Sequence, residues 1–448
     1  MNKSFQISRR SFLQRCSLVA AASGLPPWFV ERELSAAEAP AASTSPNSRP
    51  GLGLIGCGGM GMGDAGNASR FGDILAVCDV DRKHAEGAAK KFSKDGKAPK
   101  VYGDFRKLLE RGDISAVVQA TPDHWHTLIN IAAANAKKDV YGEKPLTLTL
   151  DEGQHVIKAV RQNKVVFQNG TQQRSSKRFH LTCELVRNGR IGTLKEVHVF
   201  VPGGIRGGPF QSVPVPEELN YDFWLGQAPQ AEYFTERCHR TFRWWYDYAG
   251  GPVTDWGAHH HDIARWAIGL AGPTAIEARV ITPPLPVGFT TPSEFEATLT
   301  WANGVKQYVK TTLDDSPFGA HLKENGQRNG IKFVGTTGWI WVNREELTAS
   351  DKQLLLAPLP ENAIKLEASK DHMTNFFNCI ASRKDPIASV EEAHRSASIG
   401  HLIIIALRTG LKLQWDPDKE IFTGPGAAEA SKLIAREMRK PYDYSFAG

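Results

Sequence analysis

The segment Gly56-Cys57-Gly58-Gly59-Met60-Gly61 constrains this chain more than any other, because it follows an apolar run at 52–55 and opens a helix-compatible stretch. In that setting the first glycine permits a tight turn, the second lets backbone approach a pyrophosphate, and the third allows a helix to pack closely on a strand. Phosphate charge is then held by helix N-terminal amides. Alone, the pattern is weak in a chain with 41 glycines. Its context strengthens it: Asp79 closes the next apolar run, 18 residues beyond Gly61, where a carboxylate can accept hydrogen bonds from both ribose hydroxyls of a dinucleotide. The competing reading is a glycine-rich turn followed by an Asp helix cap. Gly56, Gly58, Gly59, Met60, Gly61 and Asp79 are therefore the first candidate cofactor contacts. Asp79 would repel a 2′-phosphate and so favours NAD, while Arg82 keeps NADP open.

From 51 to 170, apolar runs at 52–55, 74–78, 114–119, 140–141 and 165–167 alternate with helix-like segments such as 125–137 and 150–163. This is the grammar of a parallel sheet with crossover helices. After residue 171 the pattern changes. A helix at about 175–188 leads to a strand at 195–201, then a Gly/Pro/aromatic stretch at 202–252. Strand-like runs follow at 275–281, 294–301, 304–312, 330–335 and 338–342, with Asn303-Gly304 as a hairpin signal. Helices at about 370–383 and 391–409 close the chain. The expectation is α/β: a doubly wound Rossmann domain at 50–170 and an α+β domain at 171–448 with a large, open, mostly antiparallel sheet. At 448 residues the chain is long enough for two cores.

Residues 1–49 read as a leader and linker outside the fold. Ser8-Arg9-Arg10-Ser11-Phe12-Leu13 is a twin-arginine sequence before a mildly apolar stretch at 18–30 and an Ala/Ser/Pro-rich segment. That combination marks a Tat export signal, with Ala37-Glu38-Ala39 as a small-x-small cleavage site; an uncleaved anchor is the competing reading. The expected partner is the Tat machinery and the expected location periplasmic or extracytoplasmic. Tat carries folded proteins, so a nucleotide loaded in the cytoplasm would be retained. The net charge of +6 comes without a basic cluster interleaved with aromatics, which argues against nucleic acid. Beyond the leader, Cys57, Cys78, Cys183, Cys238 and Cys379 form no CxxC pair, which argues against disulfides or a zinc-cysteine site.

Three further segments carry chemistry. Thr121-Pro122-Asp123-His124-Trp125-His126 follows the run at 114–119, and Glu143-Lys144-Pro145 follows 140–141, where a Rossmann sheet presents its binding edge. A lysine there can stabilise negative charge on a substrate oxygen during hydride transfer; by itself, Glu-Lys-Pro also suits a surface turn. In Asp255-Trp256-Gly257-Ala258-His259-His260-His261-Asp262, residues Asp255, His259 and Asp262 stand at i, i+4 and i+7, one helical face. A histidine flanked by carboxylates is equipped as a general base. Two readings compete: Asp255 as a helix cap with His259 merely packed, and a metal held by His259, His261 and Asp262. The His spacing is poor for one helical metal site, so none is expected.

Together these motifs resemble the glucose-fructose oxidoreductase/inositol 2-dehydrogenase/rhizopine catabolism (Gfo/Idh/MocA) family, from residue 50 onward. The resemblance implies a C-terminal sheet that often forms a dimer or tetramer interface, hence a homo-oligomer. It also implies that Lys144, Asp255 and His259 act together at the substrate carbon of a sugar or polyol, His259 taking the hydroxyl proton and Lys144 polarising the oxygen. Which of the two is the base stays open. Thr121, Pro122, Trp125, His126, Glu143 and Lys144 would line the ribose–nicotinamide half. Arg174, Arg243, Trp244 and Asp262 are candidate substrate contacts, with interdomain packing the competing reading for the aromatic cluster at 244–246. The family also contains glycosidases that use retained NAD, which makes a redox glycosidase the alternative activity. A non-catalytic nucleotide- or sugar-binding module is a third reading.

Overall fold

The computed structural model describes residues 24–35 and 49–446. Strands β1 (Gly51–Ile55), β2 (Asp73–Cys78), β3 (Lys100–Tyr102), β4 (Ala116–Gln119), β5 (Asp139–Gly142) and β6 (Phe167–Asn169) form an all-parallel sheet. Its order is β3-β2-β1-β4-β5-β6. The order reverses between β1 and β4, and ligands bind above the carboxyl ends at such a switch point. Every residue of β4 and all but the first of β1 are buried, as strands covered on both faces should be. The apolar pattern misses β3, a three-residue edge strand whose Lys100 and Val101 are exposed.

The second sheet has nine strands. They are β7 (Leu194–Phe200), β8 (Ala275–Thr282), β9 (Glu294–Thr300), β10 (Lys306–Lys310), β11 (Gly330–Gly335), β12 (Trp339–Val342), β13 (Leu347–Ala349), β14 (Leu413–Asp416) and β15 (Ile421–Thr423). In the order β13-β12-β11-β7-β10-β9-β8-β14-β15, only β7 and β10 pair in parallel. The turn between β9 and β10 holds Gly304 at φ +83°, a left-handed conformation that suits glycine. Helices Lys177–Arg187, Trp256–Ile268 and Val390–Thr409 share one apolar core with this sheet, including Phe179, Ile263, Phe295, Leu299, Phe333 and Leu402.

Both chain ends cross the boundaries that local periodicity suggests. Helix Pro27–Ser35 is built into the second domain: Phe29 and Val30 are fully buried in its core. The Trp28 indole donates to the Leu355 carbonyl at 3.0 Å, and Arg32 pairs with Glu184 at 2.6 Å. The expectation that 1–49 lies outside the fold is thus corrected for 24–35, whose apolar residues complete a core rather than only a leader. Arg9, Arg10 and the stretch Ala37-Glu38-Ala39 lie outside the described residues. Phe29→Ala is expected to lower the unfolding free energy by about 3 kcal/mol or more; unchanged denaturant unfolding would show that the helix does not dock. At the other end, Met373, Phe376 and Cys379 of helix His372–Ser382 pack on Leu52, Leu54 and Tyr141, and Tyr442 joins Trp125 and Leu128. The Rossmann sheet is therefore flanked by chain from far beyond residue 170. Among the described residues, no helix is long and apolar enough to cross a membrane.

Candidate active site

The glycine loop has the geometry its sequence implies. Gly56 sits at φ +89°, and a Cβ there would lie 2.6 Å from the Ala120 carbonyl; one on Gly61 would lie 1.9 Å from the Gly56 oxygen. Gly58 and Gly59 face open space. Helix Gly59–Ala68 starts with no side-chain cap, so its first amides are left for an anion. Asp79, at the end of β2, accepts from the amides of Cys57 at 2.7 Å and Asp81 at 2.9 Å, which fixes its carboxylate at the rim. These features fit a dinucleotide: an open approach for pyrophosphate and an oriented acid for ribose.

The loop opens into a cleft of about 770 Å³ with walls from both domains. Thr121, Pro122, Trp125, Glu143 and Lys144 line it from the first, Arg243 and Asp255 from the second. Lys144 Nζ donates to Asp255 Oδ1 at 2.9 Å and to the Asp255 carbonyl at 3.0 Å. Burial pulls the Lys144 pKa down, but Asp255 and then Glu143 more than reverse this, so the ammonium stays charged. For Asp255, burial raises the pKa and Lys144 and Arg243 outweigh it, so the net direction is down. Asp255 starts helix Trp256–Ile268 but makes no side-chain cap; its carboxylate serves the lysine instead. One turn on, His259 is buried with Nδ1 unpartnered among the described residues. Burial, then the Lys144 and Arg344 cations, hold its pKa well below the usual value, so the ring is neutral.

Sequence models of one family cover both halves of this arrangement. "Oxidoreductase family, NAD-binding Rossmann fold" matches residues 51–171, and "Oxidoreductase family, C-terminal alpha/beta domain" matches 207–444. The chain belongs to the Gfo/Idh/MocA oxidoreductase family. Among curated relatives, an inositol 2-dehydrogenase of Salmonella typhimurium is 29% identical over 41% of this chain and 50% of its own length. The scyllo-inositol 2-dehydrogenase (NAD(+)) of Bacillus subtilis is 23% identical over 83% and 97%. The chain spans about half the length, or less, of the first of these relatives it matches. In fold it is similar to the WlbA dehydrogenase of Bordetella pertussis, solved with NADH and UDP-GlcNAcA, at TM-score 0.60 and 19% identity over 82% of this chain and 99% of that one. A levoglucosan dehydrogenase solved with NADH and levoglucosan gives TM-score 0.58 and 20% identity, with coverage of 82% and 99%.

In this Gfo/Idh/MocA chain several expected contacts lie elsewhere. Arg174 and Asp262, expected at the substrate, face each other: Arg174 Nε lies 2.7 Å from Asp262 Oδ2, and both are almost fully buried. Asp262 also accepts from Ser396 Oγ at 2.6 Å, and Arg174 reaches Glu392 at 2.8 Å. They form an internal ion-pair network, because a guanidinium that deep needs its carboxylate more than a ligand could supply. His261 meets Gln307 at 3.4 Å, so the alternative metal trio His259–His261–Asp262 is divided among other partners. His126 is not on the cleft wall either. Its ring bridges the carbonyls of Pro145 at 2.6 Å and Thr121 at 2.8 Å, clipping together the two loops that carry cleft residues. Trp244 packs its ring near Gly204 and is likewise absent from the cleft lining.

Two acids of the family member's first domain escaped the sequence reading. Asp123, the first residue of helix Asp123–Asn135, lines the cleft beside Lys144, Arg243 and Asp255. Burial pushes its pKa up from 3.8 to about 7, with Asp255 adding to the rise and Lys144 and Arg243 opposing it. The folded carboxyl thus keeps its proton to about 7 while the unfolded one loses it near 3.8. Its burial therefore costs nothing below the lower value and a growing amount up to the higher one, at most about 4 kcal/mol beyond it. Asp123→Asn is expected to raise Tm at pH 8 and leave it nearly unchanged at pH 4; equal shifts at both would refute the titration. Asp64, buried under the glycine loop against Glu143, is pushed up to about 9 by burial and then by Glu143, and so is neutral at pH 7. Also unforeseen is the stretch around 218–243, which lays Leu219, Phe223, Trp224, His239, Arg240 and Phe242 across the cleft from the second domain.

Proposed function

We propose that this protein is an NAD-linked dehydrogenase that oxidises a hydroxyl carbon of a sugar or cyclic polyol, or runs the reverse reaction. The observation that carries it is the Lys144–Asp255 pair, a charged ammonium from one domain and a carboxylate from the other meeting in the cleft that the glycine loop opens. When bound, the nicotinamide supplies or accepts hydride. The chain's own residues manage the oxygen and its proton. Lys144 holds a hydrogen bond on the reacting oxygen and stabilises the negative charge that develops there. Asp255 keeps Lys144 charged and aimed. His259, neutral and one helical turn beyond Asp255, takes the hydroxyl proton in oxidation and returns it in reduction once its buried ring turns to the cleft. Arg243, 3.4 Å from Asp255, is placed to meet further hydroxyls.

The dinucleotide is retained by the protein on this reading, since the 218–243 stretch covers one end of its cleft. Export by the Tat route in folded form, and homo-oligomerisation through the open sheet, belong to the same proposal. Its supports are the paired Arg9 and Arg10 and a nine-stranded sheet whose second face is only partly buried in β9 and β10. The test is to add myo-inositol, scyllo-inositol, levoglucosan and common hexoses to purified protein with NAD and follow the absorbance of reduced nicotinamide. Reduction with at least one polyol supports the reading. Release of aglycone from an aryl glycoside without net reduction would instead favour a redox glycosidase.

A further inference from the structure

We propose that Asp81, His84 and His239 bind a divalent transition-metal ion, zinc in the first instance, which latches the second domain onto the first at the adenosine end of the cleft. The three residues come from separated parts of the chain: Asp81 and His84 from the turn and helix after β2, His239 from the covering stretch of the second domain. One ligand atom from each lies within 4.8 Å of the others, and Asp81 Oδ2 is 3.6 Å from His239 Nε2. Ligands on a tetrahedral zinc with bonds of about 2.0–2.1 Å stand about 3.4 Å apart. A small inward rotation of two side chains closes the set.

The side chains are disposed as ligands rather than as packing. Asp81 divides its oxygens: Oδ1 caps helix Arg82–Lys91 by accepting from the amides of Lys83 at 2.9 Å and His84 at 3.2 Å, which leaves Oδ2 for the cluster. Neither imidazole makes a hydrogen bond among the described residues, though their ring centroids are 4.8 Å apart and both line the cleft. The two rings and the Asp81 carboxylate thus converge on one point at the cleft edge, with their nitrogens free of protein hydrogen bonds among the described residues. His239 is held at φ +52°, a conformation unusual outside glycine, which turns its ring toward Asp81. Asp79 Oδ2 stands 3.9 Å from His84 Nδ1, close enough to add negative charge beside the cluster. Two imidazoles and one carboxylate suit zinc, cobalt or nickel rather than magnesium or calcium. No pattern of Cys or His spacing announced this site, since its third ligand is 155 residues from the second.

The backbone already zips this edge. Arg82 N donates to the Glu218 carbonyl and Asn220 N to the Val80 carbonyl, each at 2.9 Å, and Asp81 bridges Leu219. A metal at the end of that seam would slow dinucleotide release. This second half rests on the proposed function; the metal site itself does not.

The full-length protein is stripped with a chelator, then titrated with Co²⁺ while its visible ligand-field absorption is followed, with Zn²⁺ as competitor. One equivalent with tetrahedral-type absorption is expected. His84→Ala and His239→Ala should each weaken binding at least ~10-fold, and exposed His321→Ala should not. Both ligand rings are about 40% exposed, so their removal leaves the fold intact, which circular dichroism checks. Absence of that absorption, or equal affinity in the His239 variant, overturns the site. Dissociation of bound NADH should be slower with zinc than without. If metal binds and that rate is unchanged, the site stands and the latch is wrong.

Discussion

Lys144→Ala is expected to lower kcat by about 10²- to 10³-fold, the usual loss when one donor to a developing oxyanion is removed. Nucleotide affinity should stay within a few-fold of the parent value, because on the proposed reading the pyrophosphate and ribose are met by Gly58, the helix amides and Asp79, away from the lysine. The variant also leaves Asp255 without its main counter-charge. Lys144 and then Arg243 now outweigh the burial that pushes this acid's pKa upward, so without the lysine Asp255 takes up its proton at higher pH and the acidic limb of the rate profile should move up. Stopped-flow turnover with a reducing polyol, set beside NADH titration by fluorescence, separates the two effects. Equal loss of binding and turnover would make Lys144 a cofactor ligand and nothing more.

Asp262→Ala is the largest expected stability change. It strands Arg174, whose guanidinium is 3% exposed, with the half-open Glu392 as its remaining ion-pair partner among the described residues. Removing one partner of a buried pair costs about 3–5 kcal/mol, enough to bring a marginally stable domain near unfolding at 37 °C. Chemical denaturation should show the loss, while molecules that remain folded keep their KM. A raised KM with normal stability would return Asp262 to the substrate.

That residue illustrates what a linear pattern can and cannot reveal. Asp255, His259 and Asp262 do share a helical face, but seven residues advance the chain about 10 Å along the axis. The first reaches the cleft and the last is sunk in the core with Arg174. Periodicity reports direction around a helix and is silent on depth. The glycine loop, Asp79 and Glu143-Lys144 were legible because their chemistry depends on spacing within one βα unit, where geometry is nearly fixed by the fold. Asp123 stands inside the Thr121–His126 motif; its signal is an acid at a helix N-terminus beside the binding edge. The covering stretch at 218–243 carried no periodicity at all, since its structure comes from aromatic packing of Trp224, Tyr221, Tyr233 and Tyr248 instead of repeated elements. The burial of Phe29 within a leader-like segment was hidden for a related reason: apolar residues in an export signal and in a docked helix look the same in sequence.

In the proposed mechanism one substrate oxygen is met by Lys144 from the first domain and His259 from the second. A crystal structure of the protein with NADH and myo-inositol tests it directly. The expected complex has the nicotinamide ring between the Thr121–Pro122 loop and Lys144, with a single polyol oxygen in hydrogen-bonding range of both Lys144 Nζ and the His259 ring. A polyol bound with Lys144 still locked on Asp255 and His259 turned away from it would contradict the mechanism.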